Sequence, residues 1–160
     1  MRLLGEAAET VERLLRKRAD RGVFRSFSAS TTRGGKRRFT FVWLNERPLK
    51  LIFDPAACEL AFRDLLPSAP ATSPLYRDLK VFLKQRSTAD LPPHRRIDPE
   101  RSSVRCRNRA GSVTVSLRVH DGDVDYAVTK ALKLVNEIFL GFLRGPYHEY
   151  MAANFNEPEE

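Results

Sequence analysis

Cysteine is scarce in this chain, whose 160 residues include only Cys58 and Cys106. Two isolated cysteines exclude a disulfide scaffold, and they are too few for a closed zinc site, which needs about four ligands. Cys106 shares the inward side of its strand with Val104, so we expect it to be buried and inert. The cysteine content predicts a reducing, cytoplasmic environment.

Long apolar runs are also missing. The longest apolar stretch, residues 131–143, is interrupted by Lys133, Asn136 and Glu137, whereas a bilayer-spanning helix needs about 20 apolar residues. The first fifteen residues contain three glutamates and no apolar core typical of a signal peptide. We therefore predict no membrane-embedded segment and no membrane partner.

Motifs for catalysis and cofactor binding do not occur. The chain has no P-loop, no dinucleotide-binding glycine motif and no nucleophile-elbow serine. Residues 121–125 resemble a calcium loop only superficially, because Tyr126 and Leu132 stand where an EF-hand has glycine and glutamate. We predict no cofactor and no metal, and we keep an enzyme that uses Cys106 or His120 as the least favoured alternative.

The most regular stretch that is present runs from residue 102 to residue 145. From Ser112 to His120 apolar and polar residues alternate strictly, which predicts a strand with one buried and one wet face. Residues 123–144 then change to helical periodicity. This stretch predicts a β-hairpin followed by a long helix.

The remaining elements complete an α+β pattern. Apolar periodicity predicts helices at 3–19 and 74–86, and strands at 23–30, 38–43 and 49–53. Residues 58–66 fit either a fourth strand or a helix, and Phe24 and Phe27 are expected on opposite faces of the first strand. We predict a two-layer α+β fold, an antiparallel sheet of five to six strands with helices on one face. Residues 1–156 would form one domain, followed by an acidic tail at 157–160.

In length and element order the chain resembles the type III secretion chaperone-like superfamily. Members of that superfamily run helix, three strands, helix, two strands, helix, and they usually dimerise. The resemblance covers most of the chain and rests on element order, not on a sequence motif. It implies a homodimer that holds a partner protein.

The net charge of +8 is concentrated in strand regions. Residues 33–50 contain six basic residues against one acidic residue, and residues 94–109 contain six against two. Strand alternation sends many of these side chains away from the helices, onto an open face of the sheet. The predicted basic sheet face comprises Arg38, Lys50, Arg63, Arg105, Arg107 and Arg118. Such a face predicts phosphate contacts, although the aromatic residues fall on the inward side.

The last helix is apolar over a wider arc than packing on a sheet requires. Its heptad-like stripe comprises Val124, Val128, Ala131, Val135, Ile138 and Phe142. Either the other two helices cover this stripe, or it forms an interface with a second copy or a partner protein.

Three functions follow, in decreasing order of preference. The first is a non-enzymatic interaction module of bacterial type, a homodimer that holds a partner protein. The second is a nucleic-acid-binding domain that uses the basic sheet face. The third is an enzyme with an unrecognised Cys or His site.

Overall fold

The computed structural model describes residues 2–155 of the chain, so the acidic tail predicted at 157–160 lies outside the described residues. Within this range four α-helices, six strands and one π-helical turn follow one another. In chain order they are α1 (Arg2–Asp20), β1 (Arg25–Thr31), β2 (Arg37–Val42), β3 (Leu49–Asp54), β4 (Glu59–Leu66), α2 (Pro74–Gln85), β5 (Ser102–Arg109), β6 (Ser112–Val119), α3 (Val124–Glu137), the π-helical turn (Ile138–Leu143) and α4 (His148–Phe155).

The six strands form one antiparallel sheet in the order β1-β2-β3-β4-β6-β5. The segment that the sequence left open between strand and helix is the strand β4, which connects β3 to β6 in the middle of the sheet. The predicted α+β fold, with a six-stranded antiparallel sheet and helices on one face, is confirmed.

The core lies between the sheet and the helices. Phe39 and Phe41 of β2 and Phe53 of β3 are fully buried on this side. Helix α1 packs on β1, α3 packs on β4 and β6, and α2 lies beside β5. The buried apolar residues form one continuous cluster, so a single core holds the helical layer on one face of the sheet.

Strand β1 departs from the prediction because it contains a β-bulge. The pairing of β1 with β2 shifts between Arg25 and Ser28, and Ser26 has a left-handed φ of 54°. The extra residue cancels one alternation, so Phe24 and Phe27 do not lie on opposite faces as expected. Both rings contact Phe41 in the core, with centroid distances of 4.2 and 6.2 Å.

The helix starts follow the sequence signals. The Ser73 hydroxyl accepts a hydrogen bond from the backbone N–H of Tyr76 at the start of α2, and Asp123 caps α3 by accepting from Tyr126. The α-helix predicted to reach residue 144 ends at Glu137 and continues as the π-helical turn. Apolar spacing did not reveal this change, because the apolar residues of the turn are buried as they would be in an α-helix.

The apolar stripe of α3 is part of the core. Val128, Ala131, Val135 and Ile138 are at most 2% exposed, Phe142 is 8% exposed, and Val124 is half-buried. They are covered from inside the chain, by α1, the sheet, α2 and α4. Apart from Val124, the stripe therefore offers no surface to a second copy or a partner, which corrects the assignment of its five buried residues as an interface.

Neighbouring aromatic rings show how the helices close over this part of the core. Phe142 contacts Phe82 of α2 at a centroid distance of 5.2 Å, and Phe139 contacts Phe155 of α4 at 5.0 Å. The extra apolar width of the last helix is thus used against the other helices. Coverage of the stripe by the other helices is one of the two alternatives that the sequence predicts, and an interface with another chain is the other.

A largely buried ion pair connects α2 to α3. The Arg86 guanidinium donates to the Glu137 carboxylate at 2.5 Å, and both side chains are only 12–13% exposed. The guanidinium also lies 4.0 Å from the ring centre of Phe82. The exposed Arg95 also approaches the Glu137 carboxylate, at 3.8 Å. Removing Glu137 therefore leaves the buried Arg86 guanidinium without its ion-pair partner.

We predict that Glu137→Gln lowers the free energy of unfolding by about 3 kcal/mol. This value is at the lower end of the range typical of removing one partner of a buried ion pair. Urea denaturation followed by circular dichroism measures this loss. Arg16→Gln is the control, because Arg16 pairs with Glu12 at 3.2 Å on the exposed side of α1 and its loss should cost less than about 1 kcal/mol. Equal effects of the two substitutions would contradict the prediction.

Candidate binding site on the open sheet face

The open face is the side of the sheet that carries no helix. Its residues follow from the strand pairing, because residues directly opposite one another in antiparallel strands point to the same side. The first cross-strand row runs through all six strands and comprises Ser30, Arg38, Ile52, Ala61, Ser116 and Arg105. Arg38 and Arg105 therefore lie near opposite ends of one row, on β2 and on the edge strand β5.

A second row lies beside the first and carries three further cations. It comprises Ser28, Thr40, Lys50 and Arg63, followed by the Thr114–Arg107 pair of β6 and β5. Lys50 and Arg63 are directly opposite one another, with no acidic residue between them. Strand β4 has a bulge immediately after Arg63, where Asp64 has a left-handed φ of 52° and its N–H donates to the Thr114 hydroxyl at 3.3 Å.

The third row is of mixed charge. Asp54, Glu59, Arg118 and Ser103 are paired in succession from β3 to β5. Lys36 approaches the Asp54 carboxylate at 3.9 Å from the β1–β2 hairpin. Arg118 is thus the one predicted site residue that shares its row with carboxylates, whereas the other five lie in the two neighbouring rows.

The six predicted cations of the open face are exposed and have no ion-pair partner among the described residues. Arg38, Lys50, Arg63, Arg105, Arg107 and Arg118 are all exposed. Across residues 2–155 none of the six forms an ion pair or a side-chain hydrogen bond with another protein group.

Several cations elsewhere in the chain are paired. Arg37 donates to Glu12 at 2.8 Å, and Arg101 donates to Asp121 at 2.8 Å and to Asp123 at 2.9 Å. The guanidinium of Arg101 lowers the pKa of the Asp121 carboxyl. Cations elsewhere in the described part of the chain thus form ion pairs, whereas the six cations of the basic sheet face form none there.

The open face is concave, and short polar and aliphatic side chains form its floor. A cavity of about 380 Å³ lies over it. Three of the predicted cations line this cavity, together with the hydroxyls of Thr114 and Ser116 and the aliphatic groups of Ile52 and Ala61. The carboxylates of Asp54 and Glu59 line its third-row end. None of the strand residues on this face is aromatic, because Phe39, Phe41 and their neighbours point into the core. Exposed cations next to hydroxyls form a surface that can hold phosphate or carboxylate groups.

The sequence-predicted site is thus brought together, with three additions. The same alternation that located Arg63 also places Glu59 on this face, and Asp54 follows from Lys50 in the same way. Lys36 could not be predicted from alternation, because it lies in a hairpin loop that reaches the edge of the cavity. A third carboxylate, that of Asp64, accepts from the Ser112 hydroxyl at 2.5 Å near the opposite end of the sheet.

The candidate residues for catalysis lie apart from this face or have no catalytic partner. Cys106 is half-buried, not buried as expected, because β5 is the edge strand and leaves one side of the thiol open. Its Sγ lies 3.8 Å from the Tyr76 hydroxyl and lines a cavity of about 250 Å³ with Lys80 and Lys84. His120 is exposed, and its Nε2 lies 3.3 Å from the Ser103 hydroxyl. These contacts include no Cys–His pair.

Comparisons with known proteins identify no relative. No family model matches the chain, and neither the curated proteins nor the solved structures include a match. The resemblance to the type III secretion chaperone-like superfamily therefore stays a prediction.

Residues 2–155 contain neither a cluster of potential metal ligands nor a membrane-spanning helix. No group of three or more His, Cys, Asp or Glu side chains in this range could hold a metal ion. None of the helices described has the length and apolarity that crossing a bilayer requires.

The unpaired cations predict an unusual response of stability to mutation. Because Lys50 and Arg63 are like charges in directly opposed positions, Lys50→Gln should leave the free energy of unfolding unchanged or raise it by up to about 0.5 kcal/mol. The gain should be larger at low salt, where screening is weak.

Urea denaturation at low and high sodium chloride measures this effect. The control is Arg37→Gln, which removes a cation that pairs with Glu12 and should cost up to about 1 kcal/mol. A loss above 1 kcal/mol for Lys50→Gln would mean that Lys50 has a stabilising partner.

The two thiols should differ in reactivity. Cys58 is buried, and burial raises the pKa of its thiol, whereas Cys106 lines an open cavity. Ellman's reagent should therefore modify one thiol in the native protein and the second only after unfolding. The fast reaction should disappear in Cys106→Ser, and its survival in that variant would contradict the assignment.

Proposed function

We propose that this chain is a non-enzymatic nucleic-acid-binding module that holds the sugar–phosphate backbone on its open sheet face. The observation that carries the proposal is the set of six exposed cations without protein partners on one uncovered face. An array of this kind favours a ligand that supplies the missing negative charges in a regular series, as a phosphate backbone does.

The chemistry around the cations supports a phosphate ligand. Thr114 and Ser116 present hydroxyls between Arg63 on one side and Arg107 on the other. Arginine, lysine and hydroxyl side chains make most protein contacts to phosphate oxygens. Because the backbone is the same for every sequence, we expect binding with little sequence preference.

A partner protein, which the sequence favoured first, has less support. Interfaces between proteins depend on a desolvated apolar and aromatic centre. Among the described residues the exposed large apolar side chains are Val23, Val81 and Leu140, and none of them belongs to the sheet. The α3 stripe is buried. Homodimer formation and a cytoplasmic location stay predictions from the sequence.

The test is binding of a fluorescein-labelled 20-base-pair DNA of mixed sequence, measured by anisotropy across a series of salt concentrations. We expect the logarithm of the binding constant to fall with the logarithm of salt with a slope of roughly −3 to −5, since each neutralised phosphate contributes about −0.9. The triple variant Arg38→Gln, Arg63→Gln, Arg107→Gln should bind at least about tenfold more weakly, with a slope shallower by about 2 to 3.

A matched control removes the same charge from the helical side. The substitutions Arg77→Gln, Lys80→Gln and Lys84→Gln change three exposed cations of α2, and they should leave affinity and slope nearly unchanged. If both triple variants weaken binding equally, attraction is due to net charge and the site assignment fails. Absence of salt-dependent binding to DNA at 20 mM salt would refute the proposed function.

A further inference from the structure

We infer that the ligand of the open face is a duplex and not a single strand, an inference that rests on the proposed function. A single strand presents one row of phosphates and needs one track of cations. A duplex presents two backbones separated by a groove, and a complementary surface has two separate groups of cations. The open face has this second arrangement.

The two groups are separated by strand β6. One group is Arg105 and Arg107 on the edge strand β5, and the other is Arg38, Lys50 and Arg63 on β2, β3 and β4. Within the same two cross-strand rows, β6 contributes only the hydroxyls of Thr114 and Ser116. In these two rows the sheet therefore carries charge, then neutral hydroxyls, then charge again, while Arg118 of β6 lies in the third row, opposite Glu59.

The spacing of the groups fits a groove between two backbones. Strand β5 lies two strand positions from β4 and four from β2. At about 4.8 Å per strand, the backbones of the two groups are roughly 10 to 19 Å apart. The minor and major grooves of B-DNA are about 6 and 12 Å wide between their bordering backbones, so each group can face a different strand of one duplex.

The length of the cationic region gives the size of the contact. The first and second rows are two residues apart along each strand, which is roughly 7 Å. Each strand of a duplex places one phosphate per about 3.4 Å of helix axis, so each group can reach about two phosphates. Along the strands carboxylates bound this region: Asp54 and Glu59 line the same cavity on one side, and Asp64 lies on the other.

The floor of the face argues against a single strand. Proteins that bind single strands without sequence preference stack the bases on aromatic side chains. The strand residues of this face include no aromatic ring, and the rings of β2, β3 and β4 lie in the core. A concave surface without stacking groups suits a convex helix whose bases stay paired.

The experiment compares four probes: a 20-base-pair DNA duplex, a 20-base-pair RNA duplex, one single-stranded DNA and one single-stranded RNA. The two single strands have sequences that cannot fold on themselves. Anisotropy at 50 mM salt should show both duplexes, or one of them, binding at least tenfold more tightly than the single strands. Equal or tighter binding of the single strands would overturn the inference while leaving the proposed function intact. Failure of all four probes to bind would refute the proposed function itself.

Two double variants test whether both cation groups take part. Arg105→Gln with Arg107→Gln, and Arg38→Gln with Lys50→Gln, should each weaken duplex binding at least fivefold and reduce the preference for duplex over single strand. Arg77→Gln with Lys84→Gln on α2 is the matched control and should do neither. If one double variant abolishes binding and the other has no effect, a single track of cations is sufficient and the duplex inference fails.

Discussion

The constraint on which this structure depends is that the helices pack against only one face of the sheet. Alternation along β2, β3, β4 and β6 sends Phe39, Phe53 and their neighbours to one side, where three helices enclose them. The opposite face must then remain compatible with water, and its side chains do not need to pack against a helix. Solubility alone could be met by mixed charges, as in the Glu12–Arg37 pair. The open face has mixed charge only in its third row, whereas its other two rows hold five cations with no ion-pair partner among residues 2–155.

We expect this arrangement to lower the free energy of unfolding, and it is informative for this reason. Like charges at Lys50 and Arg63 repel across adjacent strands, while a carboxylate at either position would relieve the repulsion. Features that oppose stability are typical of surfaces kept for a ligand. Burial of the α3 stripe removes the competing surface, because Val135 and Ile138 are completely enclosed by the chain. The geometry thus favours the sheet face over the helical side as the place of binding.

Most of the fold and the face could be predicted because both depend on alternation. The strict pattern from Ser112 to His120 fixed which side of β6 is buried, and the five cations of the two rows followed by the same rule. The errors lie where alternation is interrupted or where strand order decides. The bulge at Ser26 places Phe24 and Phe27 on the same side of the sheet. The edge position of β5 leaves Cys106 partly exposed. The division of the cations into two groups depends on the order of the strands in the sheet, which the pattern within one strand does not predict.

The most direct test of the account is a map of the bound surface by amide chemical shifts. A ¹⁵N-labelled sample titrated with the DNA duplex should show its largest shifts at Lys50, Arg63, Thr114 and Arg107, together with their neighbours on β2 to β6. The amide resonances of the exposed residues of α2, including Arg77 and Lys84, should not shift. Shifts confined to the helical side, with the open sheet face unchanged at saturation, would contradict the account.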